Sequence, residues 1–425
     1  MEVRRQIGKH EETEGSLLGR KISRRGALTL AGAFGAGLTL GTGGALSARE
    51  LAQADQTVEF YGEHQAGIAT PQQDRLHFAS FDLTTSDAGG VRELMRAWSE
   101  AAATMCAGHL VGGENEGAFV PPDDTGEAQD LTAGHLTITF GFGPTLFEKD
   151  GEDRFGLASR RPGALQPIPD LPGDNLDPSL SGGDLCVQAC ADDPQIAFHA
   201  VRNLARIGRG LAVIRWSQLG FGRTSSTSSA QKTPRNLMGF KDGTNNIRAE
   251  DEGAMDDYVW VREGPDWMKG GTYLVARRIR MLIEIWDRSP LLEQEQTIGR
   301  HRASGAPIGK QDEFDPVDLK AKGPDGLPAI PMDSHVRLSR QNPNERILRR
   351  GYSFTDGMDS KTGQLDAGLF FISFQRDPGE QFVPLQRRLG QSDRLTEYIQ
   401  HTGSAVFACP SGVGPGGYVG ERLFA

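Results

Sequence analysis

The sequence predicts an α+β protein made of two βαββαβ units with antiparallel sheets, the ferredoxin-like pattern. Three observations predict it. Short segments with strand-like alternation are separated by segments whose apolar residues recur at helical spacing. The order strand, helix, strand, strand, helix, strand can be followed through residues 75–221, and a looser version returns over 271–412. The length, 425 residues with 37% hydrophobic, suits two domains of ordinary size. The expected division is a leader at 1–54, a first domain at 55–225 and a second at 226–425.

The first unit opens with a Gly-bounded loop, "GEHQAGIATP" (62–71), before the strand "RLHFASFDL" (75–83). A helix follows in "GGVRELMRAWSEAAATM" (89–105), then a strand in "LTITFGFG" (136–143). A polar, Pro-rich excursion fills 148–183 before the strand "DLCVQACA" (184–191). In "DPQIAFHAVRNLARI" (193–207) Asp193 is placed to cap a helix with Pro194 in its first turn. "LAVIRWSQLGF" closes the unit, and the Ser/Thr-rich "RTSSTSSAQKTP" (223–234) reads as a linker. The second unit reads as a strand in "GTYLVARRIRMLIEIW", a helix in "SPLLEQEQTIGRH" and a long irregular segment. A strand in "AGLFFISFQRD", a helix in "GEQFVPLQRRLG" and a strand in "GSAVFACPSG" complete it.

In the leader, Arg24 and Arg25 stand directly before a mildly apolar, Gly-rich stretch, and "AQA" (52–54) has small-residue cleavage spacing. Twin arginine, weak apolar core and small-residue exit together read as a Tat export signal, with an N-terminal membrane anchor as the plainer alternative. That reading implies the Tat machinery as a partner and a periplasmic, extracellular or cell-envelope location. Tat carries folded cargo, so a bound cofactor is expected. The net charge is −10, and beyond residue 54 Lys+Arg number 38 against 51 Asp+Glu. No basic run survives there, which argues against nucleic acid. The four cysteines, Cys106, Cys186, Cys190 and Cys409, are too few for a disulfide framework in this length and read as buried thiols. No CxxCH occurs, so covalent haem attachment has no support. None of the nine histidines has a partner at zinc-type spacing, and His199 reads as a core histidine on a helix face.

Two segments carry chemistry. "GFKDGTNNI" (239–247) sets one carboxylate, Asp242, in a run of turn residues. "MDSHVRLSRQNPNERILRRGYSF" (332–354) packs His335 with Arg337, Arg340, Arg346, Arg349 and Arg350 around Asn342-Pro343. Arg337 or Arg340 taken alone reads as part of a solvated basic face. The cluster together points to anionic groups. A single histidine can be the axial ligand of a haem whose propionates are held by guanidinium groups.

These motifs resemble the dye-decolorising peroxidases. "GFKDGT" is similar to that family's GxxDG motif, and "SHVRL…NP…ILRRGYSF" to its proximal-histidine region and the arginine strand after it. "GEHQAGI", "GGDLCVQACADDPQIAFHA", "IGRHRASGAPIG" and "GLFFISFQRD" extend the likeness over essentially all of the chain beyond the leader. With the Tat signal, the resemblance is to the secreted subgroup that includes deferrochelatases. It implies two ferredoxin-like domains of the dimeric α+β-barrel type, one non-covalent haem b per subunit and a homo-oligomer. Hydrogen peroxide and an aromatic or porphyrin substrate are the implied reactants, and iron-uptake components are possible partners.

The resemblance also implies roles. His335 is expected to ligate iron, and Asp242 and Arg349 to form the distal catalytic pair. Arg350 is the alternative to Arg349, because adjacent strand residues point to opposite faces. Gly243, Thr244, Asn245, Asn342, Pro343 and Asn344 are expected to line the haem, with Arg300 on a propionate. Some relatives carry an Asn where this chain has Gly351, so that hydrogen bond is expected to be missing or replaced by water. Asp393 and Glu397 are candidates to accept the second N–H of His335. Before the O–O bond of peroxide breaks, one oxygen must lose a proton and the other gain it. A carboxylate within reach can move that proton, and a fixed arginine can stabilise the leaving oxygen. Peroxidase action on bulky aromatic donors, deferrochelation and plain haem delivery are the competing functions. A carrier needs no acid–base pair.

Overall fold

The computed structural model describes residues 56–112 and 119–425, so the expected export signal lies outside the described residues. The first unit contributes β1 (Arg75–Leu83), α1 (Ala88–Cys106), β2 (Thr137–Phe142), β3 (Leu185–Ala191), α2 (Pro194–Ile207) and β4 (Ala212–Arg223). The second contributes β5 (Thr272–Met281), α3 (Leu291–Ile298), β6 (Leu348–Arg349), β7 (Tyr352–Met358), β8 (Leu365–Gln375), α4 (Phe382–Ser392) and β9 (Ile399–Cys409). The expected strand over 271–286 ends at Met281 and gives way to a helical turn, Ile283–Trp286.

The strand order is β5-β9-β2-β3-β1-β4-β7-β8-β6, and β5 also pairs with β8, so the sheet returns on itself. Within it, β2-β3-β1-β4 and β9-β5-β8-β7 are the same ferredoxin-like arrangement of two halves. The seams between them are short. Phe142 pairs with Ala408 on one side, and Phe221 and Arg223 pair with Ser353 and Tyr352 on the other.

Burial on both faces explains why the central strands read as apolar runs. Every residue of β3 is buried. Leu185, Val187, Ala189 and Ala191 pack on the helix side, while Cys186 and Cys190 join Phe78, Tyr352, Phe370 and Phe407 in a second core. All four cysteines are free and buried. On the helix side, α1 and α2 meet at Trp98, which donates its indole N–H to the Leu204 carbonyl at 2.8 Å and stacks on Phe140. The α2 cap is as expected: Asp193 accepts from the Gln195 N–H with Pro194 in the first turn. His199 is buried and bonded to Asp124 at 2.8 Å.

One expectation needs correction. Residues 224–228, in the segment read as a linker, are buried. Their hydroxyls are consumed internally: Ser225 donates to Gln72 and Thr227 to the Thr70 carbonyl, each at 2.8 Å. Short hydroxyl side chains suit a buried irregular segment because they satisfy nearby acceptors. Composition alone cannot tell that from a solvated linker.

His77 on β1 is buried under the ring of Phe198, and its Nδ1 has no hydrogen-bond partner. Burial pushes its pKa down to about 4. The unfolded chain therefore takes up a proton near pH 6.5 that the folded chain refuses. Stability should fall as pH drops from 6.5 towards 4, with this residue contributing about 1.4 kcal/mol per pH unit. Denaturant unfolding of His77→Phe between pH 7 and 4.5 should show a flatter acid limb than the parent. An identical limb would contradict the assignment.

Candidate active site

A cavity of about 510 Å³ opens between the outer face of the β9-β5-β8-β7 half of the sheet and the helical segments that cover it. Ile279, Met281, Leu369 and Phe371 from β5 and β8 form one apolar wall, and Val336, Leu385 and Leu389 contribute from the helical side. Of the residues singled out in the sequence, Asp242, Gly243, Thr244, Asn245, Arg300, His335, Asn342, Pro343 and Arg349 all line it. Asn344 does not. It is exposed at the tip of a turn closed by its own N–H bond to the Asn342 side chain at 3.0 Å.

His335 begins a one-turn helix, His335–Leu338. Its Nδ1 lies 2.6 Å from the Asp393 carboxylate, whose other oxygen caps the Leu395 N–H at 2.9 Å. Asp393 is thus the partner of the two candidates; Glu397 is exposed. With Nδ1 engaged, Nε2 is the ring nitrogen left for a ligand. Burial lowers the imidazole pKa and the Arg349 charge adds to that, but Asp393 and Asp242 together outweigh them, and the net shift is upward. A carboxylate in that position makes the imidazole a stronger donor.

Asp242 sits in a hairpin held by the Arg235–Lys241 bridge. Gly239 turns the hairpin at φ +83°, and Gly243 follows the carboxylate at φ +93°, where a Cβ would come within 2.8 Å of Ser225 Cα. Both turns therefore require glycine. Phe240 anchors the hairpin from below, buried edge-to-face against Trp286. Asp242 Oδ1 accepts from Arg349 at 2.6 Å, and Oδ2 from Asn236 Nδ2 at 3.2 Å.

Arg349 belongs to the two-residue strand β6. The Asn246 side chain accepts from its N–H and donates to its C=O, both at 2.8 Å. Arg350 points the other way. It is fully buried and donates to Thr70 O and Gln73 Oε1, each at 2.5 Å. Of the two adjacent arginines, Arg349 is the one in the cavity. Gly351 faces a packed neighbourhood, where an added Cβ would lie 2.8 Å from Thr224 Oγ1, so no longer side chain fits without movement.

Further cations ring the cavity. Arg300 is buried and donates to the carbonyls of Gly305 and Glu313. Arg340, which taken alone reads as solvated, lines the cavity instead. Neither has a carboxylate partner among the described residues. Burial weakens the hold of both on their protons, and for Arg300 the nearby Arg340 charge adds to this. Arg337 also departs from the solvated reading: it is buried and bonded to the carbonyls of Ile330 and Leu319. Glu313, which the sequence did not single out, pairs with Lys241 and accepts from Thr244 at 3.0 Å. Burial works against its charge, but these donors hold it below the ordinary carboxylate range.

The donor set suits a haem. Apolar walls match a flat macrocycle, one oriented imidazole matches an axial position, and two guanidinium groups without carboxylates match two propionates. Asn236, Asn246 and Arg340 complete the site, and none of the three had been assigned to it. Asn246 and Arg340 lie inside the two quoted segments and Asn236 three residues before the first, but nothing local gave any of them an individual role.

Comparison with known proteins gives a consistent result. Residues 65–222 match the family model described as Dyp-type peroxidase, N-terminal, and 233–414 the one described as Dyp-type peroxidase, C-terminal. A curated relative from Yersinia pseudotuberculosis, named deferrochelatase, is 38% identical over 84% of this chain and 82% of its own length. Among solved structures, DtpA from Streptomyces lividans is 40% identical with a TM-score of 0.79, covering 87% of this chain and 98% of that one. A DyP-type peroxidase from Streptomyces coelicolor is 39% identical with a TM-score of 0.80, covering 89% and 99%. The two family models together span most of the chain, and the relatives align over its length at well above 30% identity; the chain belongs to the Dyp-type peroxidase family.

Proposed function

We propose that this protein is an exported haem b peroxidase that uses hydrogen peroxide to oxidise bulky aromatic donors. The observation that carries the reading is the Asp242–Arg349 pair, 2.6 Å apart, in the same cavity as the carboxylate-bound His335. Haem, when bound, supplies a redox-active iron with an open coordination position. His335 would ligate that iron through Nε2 while Asp393 fixes its tautomer and orientation. Arg300 and Arg340 would hold the propionates. Asp242 would take the proton from one peroxide oxygen and return it to the other, so that the departing oxygen leaves as water. Arg349 would stabilise the negative charge that builds on that oxygen as the bond breaks. Two electrons are then owed, and aromatic donors would return them singly.

A second reading is favoured by the relatives' names. The curated proteins at 36–38% identity are called deferrochelatases. On that reading the same pocket releases iron from haem and leaves the porphyrin intact, in connection with iron uptake. Incubating the purified haem protein with and without peroxide and weighing the tetrapyrrole product separates the two. Iron-free protoporphyrin in quantity supports deferrochelation, and unchanged haem with oxidised donor supports the peroxidase. Simple haem delivery has no use for an Asp–Arg pair aimed into the pocket.

Asp242→Asn and Arg349→Leu should each retain haem while slowing the reaction with peroxide by roughly 10²- to 10⁴-fold, as expected for a lost proton-transfer group or charge stabiliser. Stopped-flow absorbance after peroxide mixing reads both rates. Parent rates in both variants would overturn the distal-pair reading.

His335→Ala should lose most of its haem, whereas His199→Ala should bind it with an unchanged Soret band. Asp393→Asn keeps an acceptor and removes its charge. It should retain haem but raise the iron reduction potential in spectroelectrochemistry, because the imidazole becomes a weaker donor. Full haem occupancy with an unaltered spectrum in His335→Ala would exclude it as the ligand.

Export rests on Arg24 and Arg25. Arg24→Lys together with Arg25→Lys should leave precursor inside the cell, detected by fractionation. Continued secretion would show that another route is used. The exported chain should begin near Asp55 by N-terminal sequencing.

A further inference from the structure

Asp242 is held by two donors, and only one of them is an arginine. The other, Asn236, lies six residues earlier in the same hairpin and lines the same cavity. Its backbone is fixed at both groups: its N–H donates to Phe240 O at 3.1 Å, and its C=O accepts from Gly239 N–H at 2.9 Å. Its side-chain oxygen accepts from the Met238 N–H at 3.1 Å. That bond settles which end of the amide is which. The oxygen is committed to a donor, so the NH₂ is the end turned towards the carboxylate.

The other charged groups around Asp242 do not replace it. Arg349 binds Oδ1, Lys241 is engaged by Glu313, and His335 gives its Nδ1 to Asp393. Among the described side chains, only Asn236 is hydrogen-bonded to Oδ2. The terminal torsion of an aspartate is intrinsically broad. With Arg349 as a single anchor, the carboxylate could pivot about that bond. With Asn236 on the second oxygen it has one orientation, and each oxygen keeps a further lone pair for a proton.

We propose that Asn236 is a positioning residue for proton transfer at Asp242. It acts through the carboxylate and sets the direction in which Asp242 receives and returns the proton. The proposal rests on the reading of Asp242 as the proton-transfer group.

Asn236→Asp is the informative variant. It preserves side-chain volume and keeps an oxygen for the Met238 N–H, so the turn survives. What changes is the contact with Asp242, where an N–H donor becomes a second carboxylate. Two rates are measured on the haem-loaded protein: reaction with peroxide, and association of cyanide with the ferric form. Hydrogen cyanide gives up its proton as it binds, so the second rate reports the same acceptor without turnover. Both rates should fall by about tenfold or more, in keeping with a lost hydrogen bond to a charged group. Haem content, Soret maximum and thermal midpoint should stay close to the parent. In an Asp242→Asn background the same substitution should change either rate by less than about twofold, because its target is gone.

A merely structural Asn236 would slow both backgrounds equally, and that result overturns the proposal. So do parent rates in Asn236→Asp while Asp242→Asn alone is slow, which leaves the reading of Asp242 standing. If Asp242→Asn itself keeps both parent rates, that reading fails and takes the inference with it. Should Asn236→Asp not retain haem, Asn236→Ala introduces no charge and carries the same cycle.

Discussion

The backbone of Arg349 is held by a side chain. Strand β6 is only two residues long, and on one edge it pairs with β8 through Leu348–Phe374 and Arg349–Ser373. On its other edge stands Asn246, whose amide bonds to both the N–H and the C=O of Arg349 and also donates to Ser226 O at 3.0 Å. One buried asparagine thus ties three segments that have no ladder between them: the DG hairpin, the buried Ser/Thr segment and the end of the sheet. A backbone group buried without a partner costs about as much as a lost hydrogen bond. Moving the hairpin would strand the N–H and C=O of Arg349 and the C=O of Ser226 together. The distance between Asp242 and Arg349 follows from that constraint, since each is carried by a segment that Asn246 fixes.

Charge in the cavity is arranged by who is paired. Arg277 is fully buried, which lowers its pKa, and its charge is sustained by Asp174. Lys241 is matched by Glu313 and Arg349 by Asp242. Arg300 and Arg340 are left with carbonyls or no side-chain acceptor at all. Arg300 is buried and Arg340 half-buried, and cations withdrawn from water without a counter-charge are costly, so an anionic group bound beside them would stabilise the protein. The same reasoning explains why the arginine-rich stretch is not a solvated face, as Arg337 shows by spending its guanidinium on backbone carbonyls.

The His335 side of the cavity is built from later parts of the chain. Asp393 follows α4 and uses one carboxylate oxygen to cap the turn at Leu395 and the other to hold His335. A carboxylate with both oxygens committed is fixed in orientation, and it fixes the imidazole in turn. Arg394, next in sequence, pairs with Asp333, two residues before His335. With the Arg394 N–H bond to the Asp333 carbonyl at 3.0 Å, the two segments are joined three times. The ring nitrogen facing the cavity is presented by a cross-linked pair of turns.

What the sequence by itself determined is the local part. Alternation in "RLHFASFDL" marked a strand, Asp193-Pro194 marked a helix start, and the glycines around Asp242 marked a tight turn. Each of these depends on residues within a few positions of one another. The roles of His335, Asp242 and Arg349 came from resemblance, carried by motifs of the same short reach. Tertiary structure decided the rest. Strand alternation said that Arg349 and Arg350 face opposite ways, but only closure of the sheet decided which face is the cavity. Asp393 was one of two carboxylates in range of His335 until the fold set it 2.6 Å from Nδ1 across 58 residues. Asn246 reaches Arg349 across 103 residues, and residues 224–228 are buried only because both halves of the chain close over them. Hydrogen bonds of that span leave no periodicity in the sequence, since the geometry that makes them exists only after the segments have packed.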